Sequence, residues 1–219
     1  MPRNATKWHS VPQIRAAPVT ALQLRGTEWH FMARNAILCH EQYSTGILRL
    51  YMRRLLFLDY DGVLHPDAVY LTRRGIELRA TGSLFMWAPQ LIEVLADHPD
   101  LRIVLSTSWA RNLGFDRARR ALPAKLRHQV IGATWHSAMG RGWSDYIPWD
   151  VQTRWEQIAA YLSRLNEPVR WLAIDDDVRG WATAYFDQLI QTDPNTGLSD
   201  TTVMSELICK LQATRELAS

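Results

Sequence analysis

Asp59 and Asp61 stand two positions apart at the end of an apolar run, Leu55-Leu56-Phe57-Leu58, and a second acidic group, Asp175-Asp176-Asp177, ends another, Trp171-Leu172-Ala173-Ile174. Side chains two apart can both point into one crevice, and like charges that close need a cation or a shared proton to coexist. Three consecutive carboxylates raise the same demand more strongly, and a bound divalent cation is the ordinary way to meet it. Gly62 directly follows Asp61 and lets the backbone turn away sharply.

The elements that must position these groups are short buried strands. Arg54 to Leu58 reads as a strand covered on both faces that stops where the carboxylates begin. In open α/β sheets that carboxyl edge is where ligands bind, which makes Asp59 and Asp61 site residues. Further strands are expected at 101–105, 128–134, 170–174 and 189–192. Helices are expected over 86–98, 113–126 and 151–165, then from Val178 to Ala184 with Asp177 as N-cap, and near 199–216. Asp193, beside Pro194 and Asn195, reads as a turn former.

The segment Asp59-Tyr60-Asp61-Gly62-Val63-Leu64 resembles the first motif of the haloacid dehalogenase (HAD) superfamily of phosphohydrolases. The resemblance implies that Asp59 is the nucleophile and Asp61 the general acid/base. Leu101 to Leu105, running into Ser106-Thr107-Ser108-Trp109, resembles the second motif, whose hydroxyl holds the phosphoryl group; Ser106 matches it, with Thr107 as the second candidate. The third motif needs a Lys or Arg ahead of the last catalytic strand, and Arg154 is preferred to Arg141 by position. Asp175-Asp176 resembles the fourth motif, with Asp175 the principal Mg²⁺ ligand and Asp176 acting directly or through water. Mg²⁺ would be held by Asp59, Asp61 through its backbone carbonyl, Asp175 and Asp176.

The resemblance covers roughly residues 53 to 215, and it is nearest to compact HAD domains found alone in bacteria or within multifunctional RNA-repair proteins. It implies an α/β fold with three Rossmann-like layers and a mostly parallel central sheet. The intervals between motifs leave no room for a large cap domain. The expected activity is Mg²⁺-dependent phosphomonoester hydrolysis through an aspartyl-phosphate. The partner is a phosphorylated small molecule or, for a polynucleotide-end phosphatase in RNA repair, a phosphorylated nucleic-acid end. A non-catalytic HAD-like binding module is the alternative of another class. Receiver domains of two-component signalling gather similar groups, but without the DxDG form and in another chain order.

Around these motifs, residues 69–72 and 75–79 flank Arg73-Arg74 and suggest a hairpin or flap. Its arginines would either reach an anionic substrate or sit on a solvated turn. Arg117, Arg119, Arg120 and Lys125 form either a solvated helix face or a nucleic-acid patch. The loop from Trp135 to Asp150, with Gly140, Gly142, Trp143, Tyr146 and Trp149, is either a hydrophobic lid or a base-stacking platform.

Composition narrows the class. The chain has 219 residues with 47% hydrophobic content, enough for one ordinary domain with an appendage, and no apolar run long enough to span a membrane. Cys39 and Cys209 have no metal-ligand spacing and no leader-like apolar region follows the N-terminus, so a cytoplasmic location is expected. Residues 1–51 carry six basic against two acidic residues, whereas the remainder carries 19 against 20. The net charge of +3 therefore says little about the catalytic body, assigned to 52–219. The extension over 1–51 reads as disordered, loosely docked, a targeting peptide or a start-site artefact. No obligate protein partner is inferred.

Overall fold

The computed structural model describes residues 52–73, 75–140 and 147–216. In chain order the elements are β1 (Arg53–Leu58), the hairpin β2 (Val69–Thr72) and β3 (Gly75–Leu78), α1 (Ala88–Leu95), β4 (Arg102–Leu105), α2 (Ser108–Leu113), α3 (Phe115–Ala121) and α4 (Ala124–Arg127). They continue with β5 (Val130–Ala133), α5 (Pro148–Val151), α6 (Arg154–Leu162), β6 (Val169–Asp175), β7 (Leu189–Gln191) and α7 (Thr201–Glu216). Five strands form one sheet in the order β5-β4-β1-β6-β7, every pair parallel, and the hairpin stands apart as a two-stranded sheet.

β1 is central because it is apolar on both faces. Leu56 and Leu58 join Ile103, Leu105, Leu172 and Ile174 in a core that includes Leu91 of α1 and Leu207 and Leu211 of α7. Leu55 and Phe57 alternate to the other face, where Val104 and Ala173 meet Ile158 of α6 and Trp181. Period-two alternation along buried strands thus produces two apolar layers, each needing its own helices, which gives a three-layer α/β architecture. A ring cluster of Trp155, Trp171, Trp181 and Tyr185 closes the second layer, with Trp155 and Tyr185 stacked at 4.3 Å. Among the described residues no helix is long and apolar enough to cross a membrane.

Several expected boundaries shift. The basic helix expected over 113–126 is broken into α3 and α4, because Pro123 drives Leu122 into an extended conformation (ψ 149°). The helix expected over 151–165 begins only at Arg154: Thr153 caps it reciprocally with Glu156, while Val151 ends the separate turn α5. No helix follows Asp177. Its carboxylate accepts the Arg179 N–H (3.0 Å), and Gly180, at φ +74°, turns the chain before a short 3₁₀ segment at Thr183–Gln188. Asp193 is a turn residue as expected, accepting the Asn195 N–H at 2.8 Å.

Candidate active site

Strand register decides which side chains meet. Leu58 is level with Leu105 on one side and Ile174 on the other, so Asp59, Ser106 and Asp175 leave the sheet edge together. The ladder runs to that edge: the Asp59 N–H donates to the Ile174 carbonyl (3.2 Å) and the Ser106 N–H to the Leu58 carbonyl (2.9 Å). Beyond it Gly62 adopts φ +68°, and a Cβ there would lie 2.5 Å from the Asp176 carboxyl carbon. The turn therefore needs glycine twice, for its left-handed backbone and for the space that Asp176 occupies.

Asp59 and Asp175 are both buried. The Tyr60 N–H donates to Asp59 Oδ1 (2.7 Å) and the Asp177 N–H to Asp175 Oδ1 (3.0 Å). Arg154, the first residue of α6, reaches both acids: Nη2 donates to Asp59 Oδ2 at 2.9 Å, and Nε lies 3.0 Å from Asp175 Oδ2. Gln157, one turn on, accepts from Arg154 Nη1 (3.2 Å) and steadies the guanidinium. Arg141, the other candidate base, lies outside the described residues, as do Arg74, Gly142, Trp143, Tyr146 and residues 1–51.

One arginine does not neutralise this cluster. Burial, opposed by Arg154 and reinforced by Asp61, raises the Asp59 pKa. Burial, again opposed by Arg154 and reinforced by Asp59, holds that of Asp175 well above the usual carboxylate range. Asp176 is pushed up to about 7, by burial first and then by Asp59 and Asp67. Burial works against the Arg154 cation, but Asp59 and Asp175 outweigh it and raise the guanidinium pKa further.

The donor set fits a hard divalent cation. One oxygen from each of Asp59, Asp175 and Asp176 lies within 4.8 Å of the others. Asp175 Oδ2 is buried and, despite its ion pair, receives no hydrogen bond from the described residues. Excess negative charge with an all-oxygen donor set and a carboxylate oxygen lacking a donor is what Mg²⁺ relieves.

Asp61 is held differently. Its carboxylate is not part of that three-acid cluster: the Trp109 indole N–H reaches both its oxygens (3.0 and 3.0 Å), and His65 Nε2 lies 3.0 Å from Oδ1. His65 is fully buried, and its Nδ1 accepts the Phe85 backbone N–H at 3.2 Å. A backbone amide can only donate, so the ring proton is on Nε2 and points at Asp61. Phe85 meets this imidazole edge-on and Trp109 meets it at a tilt, at 5.1 and 5.9 Å, and Tyr60, Phe85 and Trp109 pack edge-on against one another at 5.2 to 5.4 Å. His65 and Trp109 were not among the expected site residues. The signal available was their position, His65 directly after the first motif and Trp109 in the stretch that follows the second strand, but an indole donating to a carboxylate has no sequence signature.

The two hydroxyl candidates separate. The Thr107 side chain is near enough to Asp59 to favour its ionised carboxylate, and its hydroxyl accepts the Trp109 N–H at 3.4 Å. The Ser106 hydroxyl is buried without a hydrogen-bond partner among the described residues. Thr107 is therefore the hydroxyl that influences Asp59, while Ser106 follows the end of β4 directly. Asp177 turns outward to pair with Arg179 (2.7 Å).

Other described features have visible structural roles. Arg127 donates to the carbonyls of Arg120 and Leu122, and Arg119 to that of Arg127, so part of the basic stretch closes helix ends. Trp135 and Trp149 are buried against each other at 5.6 Å, as core rather than platform. The hairpin forms as expected, with Leu71 opposite Ile76.

No curated protein and no solved structure matches the chain. A family profile described as the HAD domain in Swiss Army Knife RNA repair proteins matches residues 55–203, a span that begins inside β1 and contains every acid, hydroxyl and base described above. On that match, over most of its length, the chain belongs to this HAD domain family.

Proposed function

We propose that the protein is a Mg²⁺-dependent phosphomonoester hydrolase working through an aspartyl-phosphate. The observation that carries this reading is the convergence of buried Asp59 and Asp175, both paired with Arg154, with part-buried Asp176 at the carboxyl edge of the sheet. Asp59 attacks phosphorus, forming an Oδ–P bond as the ester P–O bond breaks, and the departing oxygen takes its proton from Asp61. Asp61 then removes a proton from water, which attacks phosphorus and frees Asp59 and inorganic phosphate. Arg154 and the Thr107 hydroxyl, with the neighbouring Ser106 segment, hold the phosphoryl oxygens as charge redistributes. Mg²⁺, when held by Asp59, Asp175, Asp176 and the Asp61 carbonyl, supplies positive charge that offsets repulsion between carboxylate nucleophile and anionic substrate.

A polynucleotide-end phosphatase is the second reading, favoured by the match to a domain of RNA repair proteins. Hydrolysis of an aryl phosphate, nucleoside monophosphates and 3′- or 5′-phosphorylated oligonucleotides, with and without Mg²⁺, tests both. Metal-dependent release of phosphate from any of them supports the first reading. Preference for the oligonucleotides, falling steeply with salt, supports the second. Asp59→Asn is expected to abolish turnover with the fold intact, and wild-type activity in that variant overturns the mechanism.

A further inference from the structure

We infer that the pocket between the β2–β3 hairpin and α2 is the subsite for the leaving alcohol, and that it accepts a neutral alcohol with a compact apolar face. The inference rests on the phosphatase reading above and adds the substrate class. Asp61 stands in the wall of this pocket, facing Leu71 and Ile76 of the hairpin and Trp109, Asn112 and Leu113 of α2. Trp109 acts on both sides: its indole N–H holds the Asp61 carboxylate while its ring lines the cavity. The group that protonates the departing oxygen is thus fixed where that oxygen's carbon skeleton would have to lie.

The lining sets the chemistry. Leu71 and Ile76 are paired directly across the hairpin, so one face of the flap presents both to the cavity. Five of the eight described lining residues, Val69, Leu71, Ile76, Trp109 and Leu113, are apolar; the Asn112 amide and the Ser108 hydroxyl are the uncharged polar groups, and none of the described lining residues is a lysine or arginine. A second phosphate or carboxylate on the alcohol would sit beside Asp61, and none of the described lining residues is a cation that would offset it. The volume is about 70 Å³, room for roughly five water-sized groups, which suits a single ring or a short chain.

The test compares kcat and KM for phenyl phosphate, propanediol monophosphate and propanediol bisphosphate in the full chain with Mg²⁺. Leu71 is 64% exposed and Asn112 lies on the surface, so substitutions there leave the core alone. Wild type is expected to prefer phenyl phosphate and to discriminate against the bisphosphate. Leu71→Glu should raise KM for phenyl phosphate about tenfold, the scale of a lost apolar contact in a pocket. Asn112→Lys should raise kcat/KM for the bisphosphate by a similar factor. If wild type turns over these esters but neither variant changes its selectivity, the subsite assignment is overturned and the phosphatase reading stands. If wild type turns over none of the three, the subsite assignment falls, and the phosphatase reading is decided by the nucleotide and oligonucleotide assays above.

Discussion

His65→Phe separates proton donation from every other role in the site. The substitution keeps a flat ring inside the Tyr60, Phe85 and Trp109 packing but removes the Nε2 donor to Asp61, leaving the indole of Trp109 to hold that carboxylate. A hydrogen bond to a charged group contributes about 1.5–3 kcal/mol, which corresponds to roughly a 10- to 100-fold loss of the correctly placed carboxylate. That is smaller than the roughly 10²- to 10⁴-fold that a positioned general acid supplies, as it should be when Trp109 still holds Asp61. The loss should fall on esters whose leaving oxygen must be protonated and spare those whose leaving group departs as a stable anion. The assay is kcat/KM, which reports steps up to the first phosphoryl transfer, for an alkyl phosphate and for 4-nitrophenyl phosphate. The expected result is a 10- to 100-fold fall for the alkyl ester with the nitrophenyl ester within about threefold. His65→Gln, able to offer an amide N–H, should recover part of the difference. The variant also leaves the Phe85 N–H without its acceptor at a cost of about 1–3 kcal/mol, so thermal melts must accompany the kinetics. An equal fall for both esters in a folded variant would refute the positioning role.

Gly62→Ala forces a side chain into a left-handed turn and against the Asp176 carboxyl group; a destabilisation of roughly 1–3 kcal/mol is expected from the backbone alone, with Mg²⁺ affinity, read by calorimetry, falling further as Asp176 is displaced. Thr153→Ala removes the cap of the helix that begins with Arg154 and should cost about 1 kcal/mol by chemical denaturation, with KM rising more than kcat falls. The pH dependence has a definite sign. Asp176 is raised in the folded state to about 7, and Asp59 and Asp175 are raised too, so the folded protein holds protons that the unfolded chain releases. The stability they contribute is present in full below the unfolded carboxyl value of about 4 and is lost as pH rises through the folded values. Metal-free protein should therefore melt at progressively lower temperature from about pH 4 to 7, and added Mg²⁺ should raise the melting temperature more at pH 7.5 than at pH 5.

Much of the candidate site was legible because its carboxylates directly follow apolar strands, and the sequence pattern marks where such strands stop. Asp59 after Leu58 and Asp175 after Ile174 follow from that alone, and the flush register of β1 with β6 makes the two coincide. The break at Pro123 and the cap at Thr153 were also written in the chain, and helical periodicity carried across them hid both. The helix expected after Asp177 failed because Asp177 and Gly180 could satisfy the backbone by a tight turn instead.

By itself the order of residues marked where the acids stand, because carboxylates that directly follow apolar strands recur wherever a buried strand meets a sheet edge, and the motifs shared with the HAD domain family implied the α/β architecture. Which hydroxyl influences Asp59, and what holds Asp61, were decided only in three dimensions. Arg154 reaches Asp59 from 95 positions away and Trp109 reaches Asp61 from 48. Contacts of that span are set by sheet register and by where each helix begins, and a shift of one residue in either would send the same side chain elsewhere.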